Sequence, residues 1–149
     1  MNPAVLDASA LVALLLDAGA AGRWVAGQVA GRHLAAPELV MFETANVLRR
    51  RAAVGAVSQA EASLAHEDLR ALALELWPYA VCAERAWQLR ANLTVQDASY
   101  VAVAERLGAD LLTLDVRLAR APGPRCRVAT PPPAGQPLLA ADLEVDDAP

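Results

Sequence analysis

The chain contains no lysine. All thirteen basic residues among its 149 are arginine, so a phosphate-loop lysine and the lysine that steadies a transferred phosphoryl group are excluded. Aromatic residues make up only 4% of a chain that is 56% hydrophobic. Alanine dominates, which predicts shallow, closely packed apolar faces with some surplus for a subunit interface. Cysteine and histidine are equally scarce, with two of each. Cys82 and Cys126 lie far apart with no partner at ligand spacing, and His33 and His66 stand alone. These patterns argue against a zinc site and for two reduced thiols in a cytoplasmic protein. The apolar N-terminal run lacks a basic leader and is broken by Asp7 and Asp17, and no run approaches membrane-spanning length. Neither a GxxxxGK[ST] loop nor a GxGxxG turn occurs, which removes the usual nucleoside-triphosphate and dinucleotide readings.

What is present is one domain's worth of alternating short apolar runs and helical patterns. Strands are expected at Ala4–Leu6, at Leu34 and Ala35, at Leu74–Trp77, at Ala109–Leu114 and at Arg127–Ala129. Helices are expected from Ser9 to Leu16, Arg23 to Ala30, Glu38 to about Ala53, Ser58 to about Leu72 and Cys82 to Arg90. Pro37 suits the first position of the third of these, and Ser58 with Glu61 forms a capping box for the fourth. Thr94 and Asp97 repeat that pattern ahead of Tyr100, Val101, Ala104 and Leu107, with Gly108 closing the helix. A last helical turn follows from Val116 to Ala119. The alternation predicts an α/β fold: a single domain over residues 1–130 with a mostly parallel central sheet of about four to five short strands flanked by helices. Residues 131–149 read as a Pro-rich, then acidic, C-terminal tail.

The net charge of −4 is misleading for a nucleic-acid protein. Four acids, Asp142, Glu144, Asp146 and Asp147, lie in the tail, which leaves thirteen acids against thirteen arginines in the body. The body is neutral overall.

Four carboxylates carry the chemistry. Asp7 and Asp115 each stand at the carboxyl end of an expected strand, where open α/β sheets bind ligands. Asp97 lies in the first turn of the helix that feeds the second of those strands. Glu43 shares a helix face with Leu39 and Val47, among core-facing positions, and Asn46 lies three residues further on nearly the same face. Singly, each acid has an ordinary explanation as a cap, a turn residue or a helix surface. Together, four anions converging on a partly desolvated cleft repel one another unless a cation offsets them. Hard oxygen donors with no His or Cys among them suit Mg²⁺, or Mn²⁺. Such ions serve phosphoryl chemistry by activating water and neutralising the attacked phosphate. Receiver-type phospho-acceptor domains and dehalogenase-like phosphatases also gather acids at strand ends, but they normally need the lysine this chain lacks.

Four segments in order, DASAL at Asp7 to Leu11, PELVMFETANVLRR at Pro37 to Arg50, QDASYVAVAERLGADLLTLD at Gln96 to Asp115, and the VRLA that follows, resemble the PIN-domain nucleases, specifically the VapC-type toxins of bacterial toxin–antitoxin pairs. The resemblance spans about Ala4 to Ala129. It implies a magnesium-dependent endoribonuclease, usually a homodimer, silenced by a cognate antitoxin laid across the active site. By position Asp7, Glu43, Asp97 and Asp115 match the family's catalytic, metal-binding acids. Ser9, Asn46 and Thr113 match its polar neighbours. Gln96 departs from the bulkier residue that often precedes the third acid, which touches packing or substrate fit.

An RNA substrate beside four acids needs compensating charge. Arg85, Arg90, Arg117, Arg120, Arg125 and Arg127 are candidates for phosphate contacts, and Arg117 is best placed, two residues from Asp115. The alternative to a nuclease is a non-catalytic PIN-like module that binds RNA or protein, its acids structural. Metal binding that Asp97→Asn abolishes separates the two. The acidic tail is expected either to lie over the arginines or to be a solubilising end.

Overall fold

In the computed structural model, residues 2–134 are described; the tail lies outside them apart from its first four residues. Five strands form one all-parallel sheet: β1 (Ala4–Leu6), β2 (Leu34–Pro37), β3 (Leu74–Trp77), β4 (Asp110–Leu112) and β5 (Val128–Ala129), in the order β3-β2-β1-β4-β5. Among the described residues seven helices cover it: α1 (Ala8–Leu16), α2 (Ala20–Val29), α3 (Leu39–Ala53), α4 (Gln59–Ala71), α5 (Tyr79–Gln88), α6 (Val95–Leu107) and α7 (Val116–Arg120). The chain builds outward from β1 through β2 to β3, then crosses to the other side of β1 for β4 and β5. The central strand is therefore a topological switch point, the place in such sheets where a crevice opens at the carboxyl edge.

The central strands are almost wholly buried, whereas the edge strand β3 exposes Glu75 and Leu76. Every residue of β1 and β2 is buried, and Leu111 and Leu112 are fully so. A parallel sheet covered on both faces wants continuous apolar runs of this kind. Helix α6 is buried from Ala98 through Ala104, seven consecutive residues, so it is a central helix rather than a surface one. Its alanines let it approach the sheet closely, and Val101 and Val103 each contribute about 1.5–3 kcal/mol by burial.

Several boundaries differ from expectation for local reasons. Pro37 is the last residue of β2 rather than the first of a helix; its backbone pairs in register with Trp77, and α3 starts two residues later. The buried stripe of α3 is Val40, Thr44 and Leu48, one position round from the Leu39, Glu43 and Val47 face. Glu43 therefore stands at the flank of the core, half-buried. Helix α5 begins directly after Pro78, earlier than Cys82, because Pro78 supplies an extended N-cap. The strand before Asp115 ends at Leu112, and the next three residues turn toward the sheet edge. Ser58 and Glu61 do close a capping box. At α6 only half of one forms: Thr94 accepts from the Asp97 N–H at 3.1 Å, while the Asp97 carboxylate points elsewhere. Gly108 ends α6 at φ +61°, a left-handed conformation that suits glycine at a helix end.

No single helix among the described residues is long and apolar enough to cross a membrane. Cys82 and Cys126 are both free thiols.

Candidate active site

The site is built at the carboxyl ends of β1 and β4. Asp7 follows β1 at once and is the N-cap of α1, so one of its oxygens, Oδ1, accepts from the Ala10 N–H at 2.9 Å. That is the ordinary capping role of an aspartate. The same oxygen accepts from Ser9 Oγ at 2.6 Å, and Oδ2 accepts from Thr113 Oγ1 at 2.5 Å. Three of the carboxylate's roughly four lone-pair directions are thus filled. The last, on Oδ2, remains for a ligand.

Ser9 and Thr113 also tie the two loops together. Ser9 Oγ accepts from the Leu114 N–H at 2.9 Å, and Thr113 Oγ1 accepts from the Asp115 N–H at 3.0 Å. The turn that carries Asp115 is therefore fixed to the turn that carries Asp7 by two hydroxyls, one of them, on Thr113, wholly buried. Asp115 itself caps the short helix α7, accepting from the Arg117 N–H at 2.9 Å and from the Arg117 guanidinium at 3.3 and 3.4 Å. Burial raises the Asp115 carboxyl, but the hydrogen bonds and charge of Arg117 outweigh it and hold the group below the usual aspartate range. Arg117 is 90% exposed, so this contact is weak and is easily exchanged for another anion.

Glu43, from α3, and Asp97, from α6, complete the group. Tyr100 stands one turn after Asp97, is buried, and donates its hydroxyl to Glu43 Oε1 at 3.0 Å. Burial pushes the Asp7 carboxyl up, its three hydrogen bonds pull it down, and the charge of Asp97 adds to the rise; the net result lies above the usual value. Glu43 is raised in the same sense, by burial first, against the Tyr100 hydrogen bond, and with the charges of Asp97 and Asp7 adding to it. Burial and these three acids together keep the Tyr100 phenol protonated far beyond its ordinary range. Asp7, Glu43 and Asp97 thus repel one another through space. Asp115 stands beside them, its charge offset by Arg117.

Among the described residues no three acids converge into a ready coordination sphere. The donor set nevertheless fits Mg²⁺ or Mn²⁺. Its members are all carboxylates, and magnesium is ordinarily held by one or two of them with waters completing the octahedron. Two of the acids are held in the charged form only against a penalty, which a cation would relieve.

The other residues singled out in the sequence fall elsewhere. Asn46 is exposed and accepts from Arg49 Nε at 3.0 Å, so it is not joined to Glu43. Arg85 makes a two-pronged bond to Glu105, at 2.7 and 3.0 Å, and reaches the Gly123 carbonyl. Arg90 stacks over Trp87, and Arg127 pairs with Asp110. Arg85, Arg125 and Arg127 line a cavity of about 590 Å³ with Asp110 and Gly108, at the opposite end of β4 from the acids. Of the candidate phosphate contacts, Arg117 is the one tied directly to the acidic group. Tyr100 was legible in the sequence only as a core position. The signal was there: a tyrosine buried one turn beyond an acid, on a helix of alanine and valine, must find a partner for its hydroxyl.

Comparison with known proteins gives a consistent result. The PIN domain family matches residues 4–124. Ribonuclease VapC9 of Mycobacterium tuberculosis is 39% identical over 128 residues, covering 86% of this chain and 98% of that protein. The crystal structure of PAE2754 from Pyrobaculum aerophilum superposes with a TM-score of 0.59 at 29% identity, covering 80% of this chain and 78% of that one. VapC20 of Mycobacterium tuberculosis, described as a sarcin-ricin loop cleaving toxin, shares the fold with a TM-score of 0.61 at 19% identity, over 78% of this chain and 93% of that one.

Proposed function

The chain belongs to the PIN-domain family, and from that premise we propose that it is a VapC-type toxin, an endoribonuclease that hydrolyses RNA phosphodiester bonds with the help of a divalent cation. One observation carries this reading. Asp7 just after β1, Glu43 on α3 and Asp97 on α6, far apart in sequence, lie near enough at the sheet's switch point for the charge of Asp97 to raise both other carboxyls, and the nearest cation, Arg117, is already engaged by Asp115. A purely structural role gives no reason to assemble that repulsion.

Asp7, Asp97 and Glu43 would hold the ion, with Asp115 at the margin. When bound, Mg²⁺, or Mn²⁺ in its place, supplies positive charge to the attacked phosphate and lowers the pKa of a water. The chain's own part is orientation. Ser9 and Thr113 fix the Asp7 carboxylate so that its open direction faces the crevice, and they hold the Asp115 turn beside it. Arg117, exposed at the rim, exchanges Asp115 for a backbone phosphate and so positions the strand. The PIN domain is assigned to residues 1–130, with 131–149 an appended tail.

Phe42, Val54 and Leu64 on or beside α3 and α4, and Trp87 on α5, are 59–80% exposed. These apolar side chains support a homodimer and docking of a cognate antitoxin. Free thiols in a chain without a disulfide suit the reducing cytoplasm.

The test is cleavage of total cellular RNA by purified protein with Mg²⁺, with EDTA, and after Asp97→Asn. Discrete fragments that need both the metal and the acid support the nuclease. Intact RNA throughout, from folded protein that binds Mg²⁺, would replace it with a PIN-like binding module.

A further inference from the structure

Glu43 reaches the site from the flank of α3, and its carboxylate has one hydrogen-bond donor among the described side chains: the hydroxyl of Tyr100, at 3.0 Å. That tyrosine is 1% exposed and rises from the face of α6 that presents Asp97 three residues earlier. Residues three apart on a helix share a face. One turn of α6 therefore delivers one acid directly and grips another that belongs to a different helix.

We propose that Tyr100 is a positioning residue for catalysis, which fixes Glu43 Oε1 so that only Oε2 is presented to the divalent cation and the position of α3 is registered against Asp97. Asp7 has three donors and Asp115 has the Arg117 fork. Without Tyr100, Glu43 would join Asp97 in having no hydrogen-bond donor among the described residues, and on a longer side chain with three rotatable bonds. A hydroxyl that orients a ligand carboxylate typically changes metal affinity or activity by about 10–100-fold when removed. The ring itself is core. Its packing survives in phenylalanine, so the two roles of this residue are separable.

The inference rests on the ribonuclease reading, and the experiment keeps the two apart. Tyr100→Phe, Glu43→Gln and the double variant are titrated with Mg²⁺ alone by calorimetry and assayed for RNA cleavage, with kcat and KM resolved. Expected are a loss of at least about tenfold in Mg²⁺ affinity and a fall in kcat at nearly constant KM for Tyr100→Phe. In the Glu43→Gln background the same change should have no further effect, because the group it acts through is gone. Wild-type affinity and kcat in Tyr100→Phe, or effects of the two substitutions that simply multiply, would overturn the proposal. Weakened Mg²⁺ binding in a protein that cleaves no RNA would uphold the positioning role and remove the nuclease. A second measurement leaves position 100 unsubstituted. The chain has two tyrosines, so fluorotyrosine labelling gives two ¹⁹F signals, with half-exposed Tyr79 as the internal reference. The Tyr100 signal should move as Mg²⁺ is added and stay still in Glu43→Gln; indifference to Mg²⁺ in the wild-type background would count against the proposal.

Discussion

Removing the Asp7 carboxylate is expected to stabilise this protein. Asp7 is 8% exposed and is held ionised against burial and the field of Asp97. Asn in its place keeps the N-cap, since asparagine caps as well as aspartate, and the Ser9 and Thr113 hydroxyls can turn to suit an amide. The three hydrogen bonds already offset part of the charge penalty, so the expected gain is about 1–2 kcal/mol at pH 7.5 in EDTA. For a domain of this length that raises Tm by roughly 2–8 °C. Metal should invert the order. Mg²⁺ at about 100 times its Kd stabilises the wild type by about 2.7 kcal/mol, and Asp7→Asn should gain little. The pH dependence has a fixed sign. A carboxyl raised in the folded state is neutral in both states below about pH 3.9, its unfolded value. As pH rises the unfolded chain ionises first, and the wild type loses stability until the pH passes the folded value. The advantage of Asp7→Asn should therefore vanish on acidification toward pH 4. Calorimetric melts in EDTA and in Mg²⁺ across pH 4–8 check this. A variant less stable than wild type at pH 7.5 in EDTA, or an advantage that does not shrink on acidification, would refute the reasoning.

Thr113→Val removes the donor to Asp7 and the acceptor for the Asp115 N–H; Mg²⁺ affinity by titration should fall by about 10–100-fold. Arg117→Ala should weaken RNA binding across sequences and lower the salt slope by about 1. Anisotropy in the inactive Asp97→Asn background measures that, and the melting temperature should stay put because the guanidinium is 90% exposed. Gly108→Ala meets open space, so its cost is the backbone's alone, about 1–2 kcal/mol for a left-handed residue, read as a lower urea midpoint.

The order of elements was legible because most strands are bare apolar runs and most helices announce a cap. Asp7, Asp97 and Asp115 were legible for the same reason: they sit where strands end or helices begin, positions with strong local rules. Glu43 required a face assignment on α3, and that face proved to be one residue off because Thr44, not Glu43, takes the fully buried place. Pro37 was misplaced because its backbone conformation suits a strand end and a helix start alike, and only its pairing with Trp77 decides. The bond between Tyr100 and Glu43 crosses 57 residues, and no local pattern encodes it. Nor does periodicity reveal that three of the six candidate arginines, Arg85, Arg90 and Arg127, find carboxylate or aromatic partners away from the acids.

The link from Thr113 to Asp7 spans 106 residues. On a ribosome adding about 5–20 residues per second, the first acid emerges roughly 5–20 s before the residue that locks it in place. Strand β1 likewise waits for β4 as a neighbour. A nascent chain therefore carries its first acids without their arrangement, and a nuclease of this topology acquires its site only after β4 and the turn that follows it have left the ribosome.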